Sequence, residues 1–458
     1  MDQKIMWRSI KDDFNDEYMR RVFHEKTKKG TSVGRDRVKV SVFEDALDNE
    51  IEIIKRKIES GDYVFSAYKQ MLISKGLGKS PRVISIPTQR DRLVLRILSQ
   101  YLTEFYPESV PELPQAKIYK IRALLEEGSP RFFLKIDVKD FYPSIDHAVV
   151  LDKLDRLGFD PDVLSLVRNA ISNPTLSDGY RVRSASAARN EKGVPQGLSI
   201  SNTLAEIYMM YVDGKYSSFA GMDYFRYVDD IFILFRDRPN GWVEELIEDL
   251  HLLKLSTHPL DSAGSKSKFG EIGEGFDFLG YEFRENKISP RGSSVDSFEA
   301  ALIKIFTAYK HADKYCNDPI KKKLIFSRFV WRLNLKITGC IFEGRRLGWM
   351  FYFSQSTNTA PIRRIDNTID KLCVRFSIPK DVRIKKLLKV FYECERKDKA
   401  DHRYIPNYDE MDISIKRKEM MRIGFDLDDL TDEQADRKFF SIIKKETREL
   451  EKDLADIY

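Results

Sequence analysis

The chain has 458 residues, of which 42% are hydrophobic and 33% are charged, with a formal net charge of +6. This composition indicates folded globular domains and excludes a disordered tail. No apolar run reaches the roughly 18 residues that a membrane span needs, and the N-terminus lacks the apolar stretch of a secretory signal. The four cysteines lie far apart without a C-x-x-C pair, which argues against zinc ribbons and disulfide frameworks. We therefore expect a cytoplasmic protein that makes no use of a membrane.

The N-terminal part combines helices with short strands. Apolar side chains recur at helical spacing over residues 43–58 and again over 93–102, which predicts two amphipathic helices. Residues 83–86 predict a short strand that Pro87 ends. Further along the chain, Asp160 before Pro161 predicts a helix start, and Thr431 with Gln434 predicts a capping box.

Two strongly apolar segments end on acidic residues. Asp137 lies near the end of the predicted strand 132–137, and Asp229 with Asp230 interrupts the apolar stretch 224–235, which predicts two strands joined by a tight turn. Carboxylates buried there need a compensating cation. Oxygen ligands without a nearby histidine or cysteine indicate magnesium, or manganese, and two such ions support phosphoryl transfer onto a 3′-hydroxyl. The alternative is an ordinary hairpin, since aspartate favours turns.

The C-terminal half is divided by charge. Residues 289–294 (Ser-Pro-Arg-Gly-Ser-Ser) predict a linker, and helices follow. Between Leu302 and Met350 there are eleven basic and three acidic side chains, a block typical of a nucleic-acid groove, although a solvated helix face could share this composition. Residues 409–458 carry a net charge of −5, so we expect this tail to dock onto the body of the protein or onto a partner.

Five segments resemble, in this order, the motifs of reverse transcriptases, and together they cover roughly residues 60–285. Residues 78–87 with Asp91-Arg92 are similar to the fingers of group II intron, retron and bacterial defence enzymes. The other four segments are 133–145 (first palm motif), 193–202 (Pro-Gln-Gly motif), 225–230 (Y-x-D-D motif) and 275–283 (primer grip). Their joint occurrence in the family's order is much more specific than any single match.

This resemblance implies an α+β right-hand polymerase fold with fingers, a palm of antiparallel sheet on helices, and a helical thumb. We expect N-terminal helices and fingers in residues 1–130, the palm in 131–288, the thumb in 295–400, and an acidic helical C-terminal extension in 401–458. The aromatic residues of the thumb are expected to pack in its core more than to stack on a duplex.

The resemblance also implies the catalytic metal ligands. Asp137 and Asp229 correspond to the family's ligands for two Mg²⁺ ions, with Mn²⁺ as the substitute. The carbonyl oxygen of Val138 would assist, and Asp230 would lie beside them as the third catalytic carboxylate. The implied activity is RNA-directed DNA polymerisation, in which deoxynucleotides are added to a 3′-hydroxyl.

Three residues are implied to lie at the sugar and base of the incoming nucleotide, and a fourth adjoins them in the chain. Tyr142 takes the steric-gate position, where an aromatic ring fills the space of a ribose 2′-hydroxyl, so the implied substrates are dNTPs. Phe141 precedes the gate and is expected in the core. Gln196 would contact the nucleotide, and Gly197 would let the backbone approach it closely.

The remaining implied contacts involve the triphosphate. Lys79 and Arg82 would hold the β- and γ-phosphates, and Asp140 would lie near the triphosphate through its backbone. Lys266, or less readily Lys268, would be the general acid that protonates pyrophosphate. The five residues before Lys266 depart from the family's usual pattern, so this assignment has the weakest support in the sequence.

Residues 332–340 and 348–355 resemble the thumb of defence-associated reverse transcriptases of the abortive-infection and type 3 defence groups. We therefore expect a bacterial antiphage enzyme that copies a non-coding RNA template into DNA, with a partner protein or a second copy of the chain as further partners. A retron or group II intron-like enzyme is the alternative, although Asn173 stands where the retron motif has histidine and no HNH cysteine pairs occur.

Three further hypotheses concern chemistry. An RNA polymerase would share the carboxylates but usually has glycine before Asp-Asp, and a non-catalytic RNA-binding scaffold would keep the fold alone. We also hypothesise that a tyrosine hydroxyl at Tyr404, Tyr408 or Tyr458 primes DNA synthesis.

Overall fold

The computed structural model describes residues 8–28, 32–74, 80–179, 189–260, 262–395 and 402–452. The elements up to residue 130 are α1 (Asp16–Val22), α2 (Val40–Asp45), α3 (Leu47–Glu59), β1 (Tyr68–Ile73), β2 (Arg82–Ile86), α4 (Gln89–Phe105) and α5 (Pro114–Glu126). The two amphipathic helices predicted over 43–58 and 93–102 are therefore present as α2–α3 and α4, and the strand predicted before Pro87 is β2.

The middle of the chain alternates strands and helices. Its elements are β3 (Phe132–Lys139), α6 (Phe141–Ser144), α7 (His147–Arg156), α8 (Pro161–Ser172), β4 (Thr175–Leu176), α9 (Ser201–Ser217), β5 (Met222–Tyr227), β6 (Asp230–Phe235), α10 (Trp242–Leu252), β7 (Ser256–Thr257) and β8 (Lys268–Glu271). Helix α8 begins as predicted, because the Asp160 side chain accepts a hydrogen bond from the Val163 amide at 2.9 Å.

The C-terminal part is mainly helical. Its elements are β9 (Phe276–Phe278), β10 (Tyr281–Arg284), β11 (Lys287–Pro290), α11 (Gly292–Lys314), α12 (Pro319–Thr338), β12 (Cys340–Phe342), β13 (Arg345–Leu347), α13 (Trp349–Tyr352), α14 (Ala360–Arg375), α15 (Leu387–Cys394), α16 (Ile413–Arg422) and α17 (Asp432–Lys452). The capping box before α17 is confirmed by reciprocal hydrogen bonds between Thr431 and Gln434.

Contacts divide the chain into two compact units. The first unit comprises Met1–Glu112 and Ser129–Gly270, and the second comprises Leu113–Gly128 and Glu271–Tyr458. Helix α5 therefore belongs to the second unit, although it lies between α4 and β3 in the sequence.

A five-stranded sheet lies in the first unit. Its strand order is β5–β6–β3–β7, and β8 also pairs with β3. The pairs β3–β6, β5–β6 and β3–β7 are antiparallel. Five of the six residues of β6 are buried, which explains why the sequence is apolar on both faces here. The buried sides of α4, α7, α8 and α9 complete this core, so the mixed α+β class predicted from the sequence is confirmed.

A second sheet in the first unit has the order β2–β1–β4. Strands β1 and β2 are antiparallel, and β4 runs parallel to β1. At the base of this sheet the buried Asp91 accepts hydrogen bonds from the Tyr63 hydroxyl at 2.9 Å and the Ser66 amide at 3.0 Å. Asp91 thereby joins the start of α4 to the chain that leads into β1.

The second unit contains the β9–β10–β11 meander and the helices that follow it. Residues 289–294, expected as a linker, are instead the end of β11 and the first turn of α11. Phe306 and Phe329 are buried between α11 and α12 with their rings 5.1 Å apart, in agreement with the expected aromatic core.

The acidic tail packs within the second unit. A cluster of buried side chains joins α12 and the β12–β13 hairpin to α16 and α17. Arg332 of α12 donates to Glu446 of α17 over 2.9–3.0 Å, and Arg328 donates to the carbonyl oxygen of Ile423. Of the two expected docking surfaces, the body of the protein or a partner, the described part of the tail therefore contacts the body.

Two of the hypothesised priming tyrosines are held within the fold. Tyr408 is buried, and the Tyr404 hydroxyl accepts a hydrogen bond from the Lys386 amide at 2.7 Å. These contacts argue against priming from Tyr404 or Tyr408. Tyr458 lies outside the described residues. None of the described helices has the length and apolar character that crossing a bilayer requires.

Candidate active site

The antiparallel pairing of β3 with β6 places Asp137 directly opposite Asp230. The register is continuous from the Phe132–Phe235 pair to these two aspartates. Directly opposed residues of an antiparallel pair project from the same face, with Cβ atoms roughly 4.5–5.5 Å apart. Carboxylates that are about ninety positions apart in the sequence therefore meet at one end of the sheet.

The third aspartate lies in the predicted tight turn. Tyr227 pairs with Asp230, so Val228 and Asp229 form a two-residue loop between β5 and β6. Val228 has a φ of +56°, a left-handed conformation that is strained for a β-branched residue. The Asp229 carbonyl oxygen accepts a hydrogen bond from the Val138 amide at 3.1 Å. This bond joins the turn to the end of β3 and brings Asp229 next to Asp137.

Arg226 holds the turn from within the core, where its side chain is only 4% exposed. Its Nη1 donates to the Val228 carbonyl oxygen at 3.0 Å, and its Nε donates to Asp213 at 2.7 Å. The same guanidinium forms an ion pair with Glu206, and the Tyr224 hydroxyl donates to Asp213 at 2.8 Å. Both carboxylates belong to α9. The arginine thus ties the strained peptide of the turn to a buried helix.

Three side chains surround Asp137, which is buried. The Lys266 ammonium lies 3.1 and 3.2 Å from its two carboxylate oxygens, and the Ser267 hydroxyl accepts from its amide at 3.1 Å. His258 Nε2 lies 3.2 Å from its Oδ1, and the His258 amide donates to its carbonyl oxygen at 3.0 Å. The sequence-based expectation of no nearby histidine was wrong, because the pairing of β7 with β3 brings His258 to Asp137.

Two of the three aspartates, Asp229 and Asp230, have a raised pKa. Burial raises the pKa of Asp229 above its ordinary value, and the charge of Asp137 raises it further, whereas Lys266 and Arg82 lower it. Burial, together with the charges of Asp229 and Asp137, raises the pKa of Asp230 to about 7. Both carboxyls therefore hold their protons more tightly than an exposed aspartate does, chiefly because they are buried.

The carboxylate oxygens of Asp137, Asp229 and Asp230 are suitable ligands for hard divalent cations. The ligands are carboxylate oxygens, and a cationic group, the Lys266 ammonium, already lies against both oxygens of Asp137. Among the described residues, no three or more histidine, cysteine, aspartate and glutamate side chains form a complete metal-binding group. Mg²⁺ commonly takes one or two protein carboxylates and completes its shell with water and substrate phosphates.

Replacing Asp230 with asparagine should stabilise the metal-free protein at pH 8 by about 1–3 kcal/mol. The folded-state pKa of about 7 lies above the ordinary value, so the ionised carboxylate costs folding free energy at pH 8. This cost shrinks as the pH falls below 7 and vanishes only below the ordinary aspartate pKa of about 4, where the carboxyl is protonated in both states. Urea unfolding in EDTA at pH 4.5 and 8 measures the difference.

The exposed Asp237, just beyond β6, provides the matched control: its change to asparagine should leave stability nearly unaltered at both pH values. A stability gain for Asp230→Asn that is the same at both pH values would contradict the electrostatic origin.

The strand β2 and the Pro-Gln-Gly segment are bonded to each other. The Ser85 amide donates to the Gln196 carbonyl oxygen at 2.7 Å. Gly197 has a φ of +102°, and a Cβ there would lie 2.8 Å from Ile84 Cγ2, so the close approach of the two backbones requires glycine. Arg82 begins β2, and its charge lowers the pKa of Asp229. Lys79 lies outside the described residues.

The short helix α6 carries the predicted gate. Asp140 precedes it with a φ of +43° and an exposed side chain. Phe141 is buried, as expected, and its ring lies 5.6 Å from that of Tyr142 in an edge-on arrangement. The Tyr142 hydroxyl donates to Oδ1 of Asn202 at 2.7 Å. Lys268, the second candidate for the general acid, has its ammonium over the Phe133 ring.

Sequence reasoning missed several residues of this site, among them Glu206, Asp213, Asn202 and His258. Glu206 and Asp213 lie seven positions apart on α9, a spacing that puts them on one helix face, and this was the available signal. Asn202 lies inside the recognised Pro-Gln-Gly segment, yet nothing in the sequence connects it with Tyr142. His258 follows a strand of two residues, which is too short to predict.

Residues 73–283 match the family model described as reverse transcriptase (RNA-dependent DNA polymerase). The matched stretch, a little under half of the chain, is thus similar to reverse transcriptase domains, and the expected right-hand polymerase fold is confirmed by this match.

Curated relatives include intron-encoded proteins. The group II intron-encoded protein LtrA of Lactococcus lactis subsp. cremoris is 26% identical over 173 residues, which are 36% of this chain and 28% of LtrA. The putative COX1/OXI3 intron 1 protein of Saccharomyces cerevisiae is 23% identical over 169 residues, which are 35% of this chain and 19% of that protein. The match thus spans less than a third of either relative.

Among solved structures, telomerase from Candida albicans, in complex with a fragment of telomeric RNA, is 14% identical with a TM-score of 0.42. The alignment covers 91% of this chain and 67% of that one. A likeness at this level adds nothing to the family match.

Proposed function

We propose that this chain is an RNA-directed DNA polymerase that adds deoxynucleotides to a 3′-hydroxyl with two divalent metal ions. One observation carries the proposal: β3 and the β5–β6 turn bring Asp137, Asp229 and Asp230 together inside the stretch that matches the reverse transcriptase family. Hard carboxylate ligands favour Mg²⁺, with Mn²⁺ as a substitute.

In this proposal Asp137 and Asp229 hold the ions, with the Val138 carbonyl oxygen as a further donor. When bound, the ions would lower the pKa of the attacking hydroxyl and neutralise charge on the leaving pyrophosphate. Lys266 is then the proton donor to pyrophosphate, since its ammonium adjoins Asp137. Arg82 binds phosphate oxygens in pairs through its planar guanidinium.

Tyr142→Val should raise ribonucleotide incorporation relative to deoxynucleotide incorporation by about tenfold to a hundredfold. The aromatic ring is proposed to fill the space of the 2′-hydroxyl, and valine leaves that space open. The measurement is primer extension on an RNA template with a DNA primer, comparing kcat/KM for dNTPs and rNTPs.

Tyr119→Val is the matched control, because Tyr119 is an exposed tyrosine on α5 (63%). It should keep the wild-type ratio. A wild-type protein that extends no primer would overturn the polymerase proposal, and an unchanged ratio in Tyr142→Val would overturn the gate.

We further propose that the template is a dedicated non-coding RNA and that the activity serves bacterial antiphage defence. The support is the resemblance of residues 332–340 and 348–355 to the thumb of defence-associated enzymes. The chain should be purified from its native cells with bound nucleic acid, and both RNA and DNA sequenced. One recurring non-coding RNA with complementary DNA is the expected result.

A reverse transcriptase of the intron-encoded type is the second candidate, and the similarity to LtrA and to the yeast intron protein favours it. Recovery of a self-splicing intron RNA in the same sequencing experiment would select this candidate and contradict the defence proposal.

A further inference from the structure

The gate tyrosine is held at both ends. Its backbone carbonyl oxygen accepts a hydrogen bond from the Val194 amide at 2.8 Å, and its hydroxyl donates to Asn202 Oδ1 at 2.7 Å. Val194 belongs to the Pro-Gln-Gly segment, and Asn202 is the second residue of α9. Both ends of Tyr142 are therefore attached to one continuous stretch of chain, residues 193–202.

The hydroxyl of Tyr142 stays a donor under all ordinary conditions. Burial and the nearby charge of Asp229 raise its pKa above the usual range. The neutral phenol then points its proton at the amide oxygen of an asparagine whose backbone is fixed in a seventeen-residue helix. The 2.7 Å separation is typical of a well-formed O–H···O hydrogen bond.

We propose that Asn202 is a specificity-determining residue that fixes the ring of Tyr142 and so strengthens the exclusion of ribonucleotides. This inference rests on the proposed polymerase function and names what sets its sugar selectivity. Without the hydrogen bond, rotation of the tyrosine side chain could move the ring aside. With the bond in place, a ribonucleotide can enter only if the bond breaks.

The cost of breaking the bond falls on one substrate class. A deoxynucleotide has no 2′-hydroxyl and leaves the ring where it is, so its rate does not depend on Asn202. A ribonucleotide must displace the ring and lose the hydrogen bond. Selectivity arises because only the ribonucleotide must break the hydrogen bond. The contribution of Asn202 can therefore be measured as the ratio of kcat/KM for a deoxynucleotide to kcat/KM for the matching ribonucleotide.

The experiment is primer extension by the full chain, with dCTP and CTP compared at the same template position. Asn202→Ala should lower the ratio of kcat/KM for dCTP to that for CTP by about threefold to tenfold, the range expected for one neutral hydrogen bond. The change should come from faster use of CTP, with dCTP kinetics close to wild type.

Two further variants isolate the bond from general structural damage. Tyr142→Phe keeps the ring and removes the hydroxyl, so it should give the same loss, and the double variant should lose no more than either single one. Asn202→Asp keeps an acceptor oxygen and should retain most of the selectivity. Asn367→Ala, at an exposed asparagine of α14, is the matched control and should match the wild type.

The outcomes separate this inference from the proposed function. A wild-type ratio in Asn202→Ala, or losses that multiply in the double variant, would overturn the role of Asn202 while DNA synthesis continues. A wild-type chain without DNA synthesis would instead overturn the polymerase proposal on which the inference rests.

Discussion

Asp229→Asn should reduce DNA synthesis by about a thousandfold or more, since metal-ion charge stabilisation supplies several kcal/mol of the barrier reduction. Asparagine keeps the size of the side chain and the turn geometry but supplies a neutral ligand. The fold should be unaffected, because burial already raises the pKa of this carboxyl and the uncharged form is the less costly one to bury. Primer extension and thermal unfolding measure the two effects.

Asp237→Asn is the control for this variant, since Asp237 is an exposed aspartate beyond the same strand. It should retain full activity. Under the proposed defence role, Asp229→Asn should also abolish phage protection in cells while RNA binding persists. Protection that survives without DNA synthesis would favour the non-catalytic scaffold, and substantial synthesis by this variant would contradict the two-metal proposal.

Arg226→Met should destabilise the first unit by about 3–5 kcal/mol, the usual cost of leaving a buried ion pair without one partner. The variant would leave Glu206 and Asp213 without their shared guanidinium. It would also remove the donor to the Val228 carbonyl oxygen, which helps to hold the strained turn. Chemical denaturation, followed by fluorescence, measures the loss.

Arg226→Lys separates stability from positioning. Lysine keeps the positive charge but cannot reach both carboxylates and the Val228 carbonyl oxygen at once. We expect a folded protein whose kcat falls by about tenfold to a hundredfold, as a misplacement of about 1 Å can cost, with KM for dNTP less affected. Arg156→Lys is the control, because Arg156 forms an exposed pair with Asp152. A wild-type kcat in Arg226→Lys would show that the turn does not depend on this anchor.

The acidic centre could be predicted because each of its aspartates is recognisable from the residues next to it in the chain. A buried carboxylate at the end of an apolar strand needs compensation wherever the strand lies, so Asp137 and the Asp229–Asp230 turn were recognisable before their pairing was known. The motif order then suggested that they meet, and the continuous β3–β6 register brings Asp137 opposite Asp230.

The contacts around that centre could not be predicted, because they depend on tertiary pairing. His258 reaches Asp137 only through the two-residue strand β7. Arg226 lies inside the recognised segment 225–230, yet its carboxylate partners are on helix α9, and a charged residue inside a strand usually faces solvent.

Residues 289–294 illustrate a different kind of error, because their composition predicted a linker where the structure has a strand end and a helix start. Proline and glycine normally interrupt regular structure. Here Pro290 ends β11, which lies at the edge of its three-stranded sheet, where a missing amide donor is tolerated. The next turn already belongs to α11, since the Ser294 amide donates to the Arg291 carbonyl oxygen at 2.9 Å.

The docking of the acidic tail limits the counterion release that nucleic-acid binding to the basic block can produce. Arg328 and Arg332 bind the tail, and Lys336 is buried. The exposed lysines of the α11–α12 pair are Lys304, Lys310, Lys314, Lys321, Lys322 and Lys323. The steepness with which nucleic-acid affinity falls as salt rises is proportional to the number of phosphates that the protein neutralises. For binding to this helix pair, that steepness should correspond to these six lysines and not to the full charge of the segment.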